Sequence, residues 1–128
     1  PDMRHVWISC LILLLAFAFC LFSMFHIRAI CDQAIVLLQQ AQQQAAQYDF
    51  SACRASISDA RQHWRRYERY FGLTLTHDAI DDILSRFAAL GQYAALEDRD
   101  DFLAGCAELI TAIEHIRQME LPSYENIL

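Results

Sequence analysis

Apolar and polar positions follow two different rules along this chain. From Val6 to Phe25 there are 20 consecutive residues without a charge, VWISCLILLLAFAFCLFSMF, and no polar face interrupts them. Beyond that run, apolar or small residues recur in steps of three and four. They fall at 27, 30, 34, 37/38, 41, 45 and 48, and then at Phe50, Cys53, Ile57, Ala60, Trp64, Tyr67 and Phe71. A third series is Ile80, Ile83, Phe87, Leu90 and Ala94; a fourth is Phe102, Cys106, Leu109, Ile113 and Ile116. Such steps place the apolar residues on one stripe of an amphipathic helix. No stretch alternates with period two over a strand's length, so the spacing predicts an all-α protein.

The uncharged run is long enough to cross a bilayer. At about 1.5 Å per residue it spans roughly 30 Å, the thickness of the hydrocarbon layer. A secretory signal would be shorter and would end in small residues before a cleavage point. Here Phe22, Met24, Phe25 and Ile27 continue the run with no A-x-A, and residues 6–26 are expected to remain as a transmembrane anchor. Nothing between Phe25 and Ile27 breaks a helix, so one rod is expected to reach about Gln47. The arginines flanking the run are nearly balanced, Arg4 before it and Arg28 after it. The short tail before the run favours an N-terminus inside and residues 26–128 outside.

Residues 27–121 are expected to form the folded domain, with 122–128 as a tail. Asp49 is placed to cap the helix beginning at Phe50, and Gly72 to end it. Thr76 and Asp78 open the next helix, and Pro122 stops the last. An internal repeat appears at an offset of 52, where 49–68 set against 101–120 gives 8 identities in 20, including Phe50/Phe102 and His63/His115. Each unit reads as one helical hairpin. The expected fold is a transmembrane helix followed by a four-helix domain of two stacked antiparallel hairpins.

Composition narrows the function classes. The chain has 128 residues and a net charge of -6, which disfavours nucleic acid as a partner. All ten basic residues are arginines. They are uneven: residues 51–76 carry +3 and residues 77–101 carry -5. The simplest expectation is that the basic second helix folds against the acidic third. The functional alternative is a basic face, with Arg54, Arg61, Arg65 and Arg69 on one stripe, that meets lipid phosphate or an anionic polymer.

Other candidate groups read as structural. His77 and Asp81, four apart with Asp78 and Asp82 adjacent, fit a helix start enriched in acids better than a metal site, which needs a further positioned ligand. His63 and His115 are expected to pack beside the core. Cys53 and Cys106 fall on core stripes and are expected to be free buried thiols rather than a bridge. The apolar end of the tail, with Asn126, Ile127 and Leu128, is expected to dock, either in a groove between hairpins or on a partner. There is no P-loop, G-x-G-x-x-G, G-x-S-x-G or H-E-x-x-H pattern. Neither enzymatic activity nor a cofactor or metal is expected.

The R-H-V-W-I before the apolar run, the two-hairpin pattern and the closing ELPSYENIL (120–128) resemble a bacterial family of small membrane-anchored proteins, domain of unknown function 4363, met mainly in Firmicutes. No activity, cofactor or catalytic residue is attached to that family, and the resemblance implies anchoring rather than chemistry. The expected role is a non-enzymatic single-pass membrane protein. It would display a helical interaction domain to a membrane protein partner, as an accessory subunit, with a homo-oligomer also compatible. The alternative is a ligand-binding or sensory ectodomain.

Overall fold

The structure is a computed structural model, and it describes residues 2–68 and 77–120. Among these residues the protein is all-α, with four helices and no strand. We number them α1 (Asp2–Ala46), α2 (Phe50–Arg66), α3 (His77–Ala95) and α4 (Arg99–Glu120). The apolar run and the first helix of the bundle are one element, as the absence of a breaker after Phe25 predicts. At 45 residues, α1 is about 68 Å long.

The four helices form a closed ring of antiparallel neighbours. Helix α1 packs on α2 and α4, and α3 packs on the same two, leaving α1 and α3 on one diagonal. Side-chain bonds fix the directions. Ser56 Oγ donates to Gln44 Oε1 at 2.7 Å, and His63 Nε2 lies 3.1 Å from the Ile30 carbonyl, so α2 descends beside α1. Arg99 Nε donates to the Ala46 carbonyl at 3.4 Å, and Arg117 meets Asp32 at 3.2 Å, so α4 descends on the other side. Arg86 reaches Glu108 at 3.4 Å across the α3–α4 seam. Short connections between neighbours leave little choice but an up-down-up-down arrangement.

The core is built from the predicted stripes. Ile27, Ile30, Ala34, Leu38, Ala41 and Ala45 of α1 are buried, as are Phe50, Cys53, Ile57, Ala60 and Trp64 of α2. All five predicted positions of α3 and all five of α4 are buried too. Two predicted members depart: Tyr48 is 71% exposed, because it sits in the corner after α1 rather than on the helix, and Tyr67, at the end of α2, is half-buried. Phe71 and Gly72 lie outside the described residues, as do Thr76 and Pro122. Layers mix sizes as close packing requires. Helix α1 supplies mainly small residues where α3 supplies Ile83, Phe87 and Leu90. Across the α3–α4 seam a Cβ on Gly105 would come within 3.0 Å of Leu90 Cδ2, so the missing side chain lets the two helices approach.

The internal repeat is real in geometry but runs at a different offset. The α1–α2 and α3–α4 corners superpose residue for residue at 49, not 52. Tyr48 N–H donates to Ala45 O at 3.0 Å and Asp49 N–H to Gln44 O at 2.9 Å; Glu97 N–H donates to Ala94 O at 3.2 Å and Asp98 N–H to Tyr93 O at 2.9 Å. Both corners place a non-glycine residue in the left-handed region, Tyr48 at φ 61° and Glu97 at φ 57°. In each, the next residue is an aspartate that caps the following helix: Asp49 accepts from Ala52 N–H at 3.3 Å, and Asp98 from Asp101 N–H at 3.3 Å. Buried positions obey the same offset: Ala34/Ile83, Leu38/Phe87, Ala41/Leu90, Cys53/Phe102 and Trp64/Ile113. The alignment of Asp49-Phe50 with Asp101-Phe102 is therefore a slipped register. A slip of three residues is close to one helical turn, so it keeps the apolar face while moving the cap.

These corners give a direct test by equilibrium unfolding of the detergent-solubilised chain. Asp49→Ala and Asp98→Ala should each cost about 1 kcal/mol by loss of the cap. Glu97→Gly should instead stabilise by roughly 0.5–1 kcal/mol, because glycine removes the left-handed strain. Ala41→Leu should cost about 1–3 kcal/mol by overpacking, whereas Ala46→Leu, on the exposed face, should not.

Candidate interaction surface

The side chains singled out by the sequence are best located from α2 outward. Its buried stripe turns Arg54, Arg61, Arg65 and Arg66 to solvent. Arg54 leans across to α3 and donates from Nη1 to the Ala94 carbonyl at 3.4 Å, satisfying a group at the end of that helix. Arg54 and Arg61 then flank a cleft of about 230 Å³ between α2 and α3, floored by Ile57, Ser58, Gly91 and Ala94. This seam is also the seam between the two hairpins. Arg65 and Arg66 lie farther down, beyond the cleft. Arg69, Asn126, Ile127 and Leu128 lie outside the described residues.

The expected pairing of a basic α2 with an acidic α3 is not what the charges do. Among the described residues, the ion pairs join Arg86 to Asp82 and Glu108, Arg99 to Asp100, and Arg117 to Asp32. None involves an α2 arginine. The α3 acids Asp78, Asp81 and Asp82 are exposed, and Arg86 on α3 holds Asp82 itself. The remaining acids cluster at the far corner, at Glu97, Asp98, Asp100 and Asp101. There the carboxyl of Asp101 is held above the usual carboxylate range by its hydrogen bond with Asp98 and by the charge of Asp98. Arg99 lies over the Tyr48 ring at 5.3 Å in the same corner.

Two further grooves lie on α3 and α4. The wider, about 630 Å³ and open along its length, is lined by Arg86, Ala107, Glu108, Thr111, Ala112 and His115. His115 is exposed there, whereas His63 is half-buried against Tyr67 and the Ile30 carbonyl. The two histidines matched at offset 52 thus play different parts, and only His63 packs. His77's side chain is outside the described set, and among the described residues no three His, Cys, Asp or Glu side chains converge.

The cysteines of the bundle, Cys31, Cys53 and Cys106, are buried, and Cys53 and Cys106 are not bridged. Cys106 Sγ–H donates to the Leu38 carbonyl at 3.3 Å. Burial pushes the Cys106 thiol up to about 12, with the nearby Cys53 adding to it, and pushes Cys53 up to about 11. These are core packing groups with weakened nucleophilicity.

With the geometry in place, the comparisons with known proteins can be set beside it. The family model of the domain of unknown function DUF4363 matches residues 21–127. The chain belongs to the DUF4363 family. No curated protein and no solved structure matches the chain. The DUF4363 match starts inside the apolar run and covers the whole bundle, so the matched segment includes the turn of helix that leaves the apolar run and enters the core. What the family resemblance implied about membership therefore holds, and it attaches no chemistry to any residue.

The buried thiols of this DUF4363 bundle carry a pH signature. Their ordinary value is 9.0 and the folded values lie above it, so the folded protein holds protons that the unfolded chain releases. Their contribution to stability is complete below about pH 9 and is lost as pH rises toward 11 and beyond. Melting temperature should fall over that window, and the Cys53→Ala, Cys106→Ala double variant should show a shallower fall. An equal slope in the variant would mean that other groups dominate.

Proposed function

We propose that the protein is a non-enzymatic, single-pass membrane protein that uses its bundle as an interaction domain, as an accessory subunit of another membrane protein. The observation that carries this is the two-solvent character of α1. Its N-terminal side chains are exposed, with Trp7 at 76% and Phe19 at 70%, yet from Ile27 onward the same helix supplies a wall of the core. A stretch of exposed apolar residues this long needs a covering solvent, and a bilayer matches its length. The unbroken backbone from that stretch into the core supports a retained anchor over a cleaved leader. The interaction role draws on the bundle's surface, which offers open helix faces and grooves rather than an enclosed cavity.

In this proposal residues 6–26 span the membrane, with the N-terminus inside and the bundle outside at a Gram-positive cell surface. Flanking arginine is even on the two sides, so the orientation stands on its own test. A second reading, a ligand-binding or sensory domain, is favoured by one feature: two arginines flank a cleft at the hairpin seam, a fitting place for an anionic ligand.

Three measurements bear on the proposal. Alkaline carbonate should leave the full chain in the membrane pellet, and its release would remove the anchor. A Leu96→Cys variant should react with an impermeant thiol reagent on intact cells, since Leu96 is 76% exposed at the far corner. Labelling only after lysis would reverse the orientation. Extraction in mild detergent should bring down a stoichiometric membrane protein; a co-purifying small anion in its place would favour the sensory reading.

A further inference from the structure

The fold brings together charges that the sequence keeps apart. His26 immediately follows the apolar run and its ring meets Tyr67 edge-on, with centroids 5.4 Å apart. Near the same level His63 reaches the Ile30 carbonyl at 3.1 Å. These two contacts fix the lower end of α2 against the point where α1 leaves the anchor. Arg65 and Arg66 precede Tyr67 by two residues and one, so along α2 they lie within about 3 Å of the level of His26. Arg28 is two residues beyond His26 on α1, at a similar height. Arg61 is about 9 Å up the helix, near the reach of its own long side chain.

We infer that this anchor-proximal face, formed by Arg28 of α1 with Arg61, Arg65 and Arg66 of α2, seats on the headgroups of anionic phospholipids. The inference rests on the reading that residues 6–26 span the bilayer. The headgroup layer on each side is about 5–7 Å deep, so the level of His26 puts Arg28, Arg65 and Arg66 within it. All four arginines are exposed, and among the described residues none of them has an ion-pair partner. Guanidinium groups suit phosphate, which they bind through paired N–H donors.

The acids are distributed to match. Near the anchor, Asp32 is held by Arg117 at 3.2 Å and Asp82 by Arg86 at 3.0 Å. Asp59, Glu68, Asp78, Asp81 and Glu114 remain; α3, with Asp78 and Asp81, lies diagonal to α1 but packs on α2, so the excess is confined to the α1–α2 side, where four arginines stand against Asp59 and Glu68. Asp49, Glu97, Asp98, Asp100 and Asp101 lie at the opposite end, about 30 Å up the bundle. An anionic surface therefore attracts the α1–α2 base and repels the tip, which holds the bundle upright over the α2 side.

The test uses the full chain in an uncharged detergent, titrated with phosphatidylglycerol or with phosphatidylcholine of the same acyl length, bound lipids being counted by native mass spectrometry. Phosphatidylglycerol should bind at least tenfold more tightly than phosphatidylcholine. The preference should shrink at high ionic strength and survive millimolar inorganic phosphate. The Arg61→Gln, Arg65→Gln, Arg66→Gln variant should lose most of it, while the triple change to Lys retains much of it and Arg99→Gln, at the far tip, retains all of it. Circular dichroism of each variant checks the fold. Equal binding of the two lipids, or a preference unchanged in the glutamine variant, overturns the inference, and displacement by phosphate assigns the site to a soluble anion instead. Flotation with purely phosphatidylcholine vesicles separates the two readings. A chain that floats without showing the preference keeps its anchor and loses this inference, whereas one that does not float loses both.

Discussion

The fold depends on helix α1 passing from one environment to another without a break in its backbone. Up to Phe22 its described side chains are exposed on all sides; from Ile27 one stripe is sealed between α2 and α4 while the opposite face stays exposed. Each environment fixes what the other half can do. The apolar half tolerates no polar face, so it offers no groove for another helix of the bundle. The amphipathic half is narrow and small, with Ala34, Ala41 and Ala45 on its stripe, so neighbouring helices pack close to it. Because one rigid element serves both, the position of the bundle relative to the anchor is fixed by helix geometry rather than by a linker.

That coupling explains why the rest of the bundle is so regular. A ring of four helices with short connections must return to the same two ends, and both described corners solve the turn with the same bonds. Each ends a helix with a residue in the left-handed region and starts the next with an aspartate cap. Neither corner uses glycine for the strained residue. The strain at Tyr48 is accompanied by the Arg99 stack and by the Arg99 bond to the Ala46 carbonyl, so the first corner is tied to the start of α4. Glu97 has no comparable aromatic contact, so the second corner is the more weakly supported of the two.

Helix positions and core faces were legible in the sequence because a period near 3.6 is directly visible in residue spacing. Within the described residues the predicted stripes are buried except for Tyr48, which is exposed, and Tyr67, which is half-buried. What the pattern cannot carry is register. An amphipathic repeat looks almost the same after a slip of three, and matching Asp101-Phe102 to Asp49-Phe50 hid the true cap, Asp98. A sharper signal was present: the spacing from each cap to the first buried residue of its helix's main run, Asp49 to Cys53 and Asp98 to Phe102. Charge pairing was illegible for a related reason. Net charge by segment ignores which partner each acid meets, and Asp82 is taken by Arg86 of its own helix.

The surface follows from the same geometry. A linear reading finds the arginine flanking the anchor almost even, because Arg61, Arg65 and Arg66 are more than thirty residues from the end of the apolar run. Antiparallel packing removes that distance: α2 descends along α1 until Tyr67 meets His26. The α1–α2 side of the base therefore gathers four exposed arginines and the far corner is acidic, although the net charge is negative. This arrangement needs no special residue at any one place. It follows from an apolar run that is continuous with the first core helix and a second helix that runs back toward it.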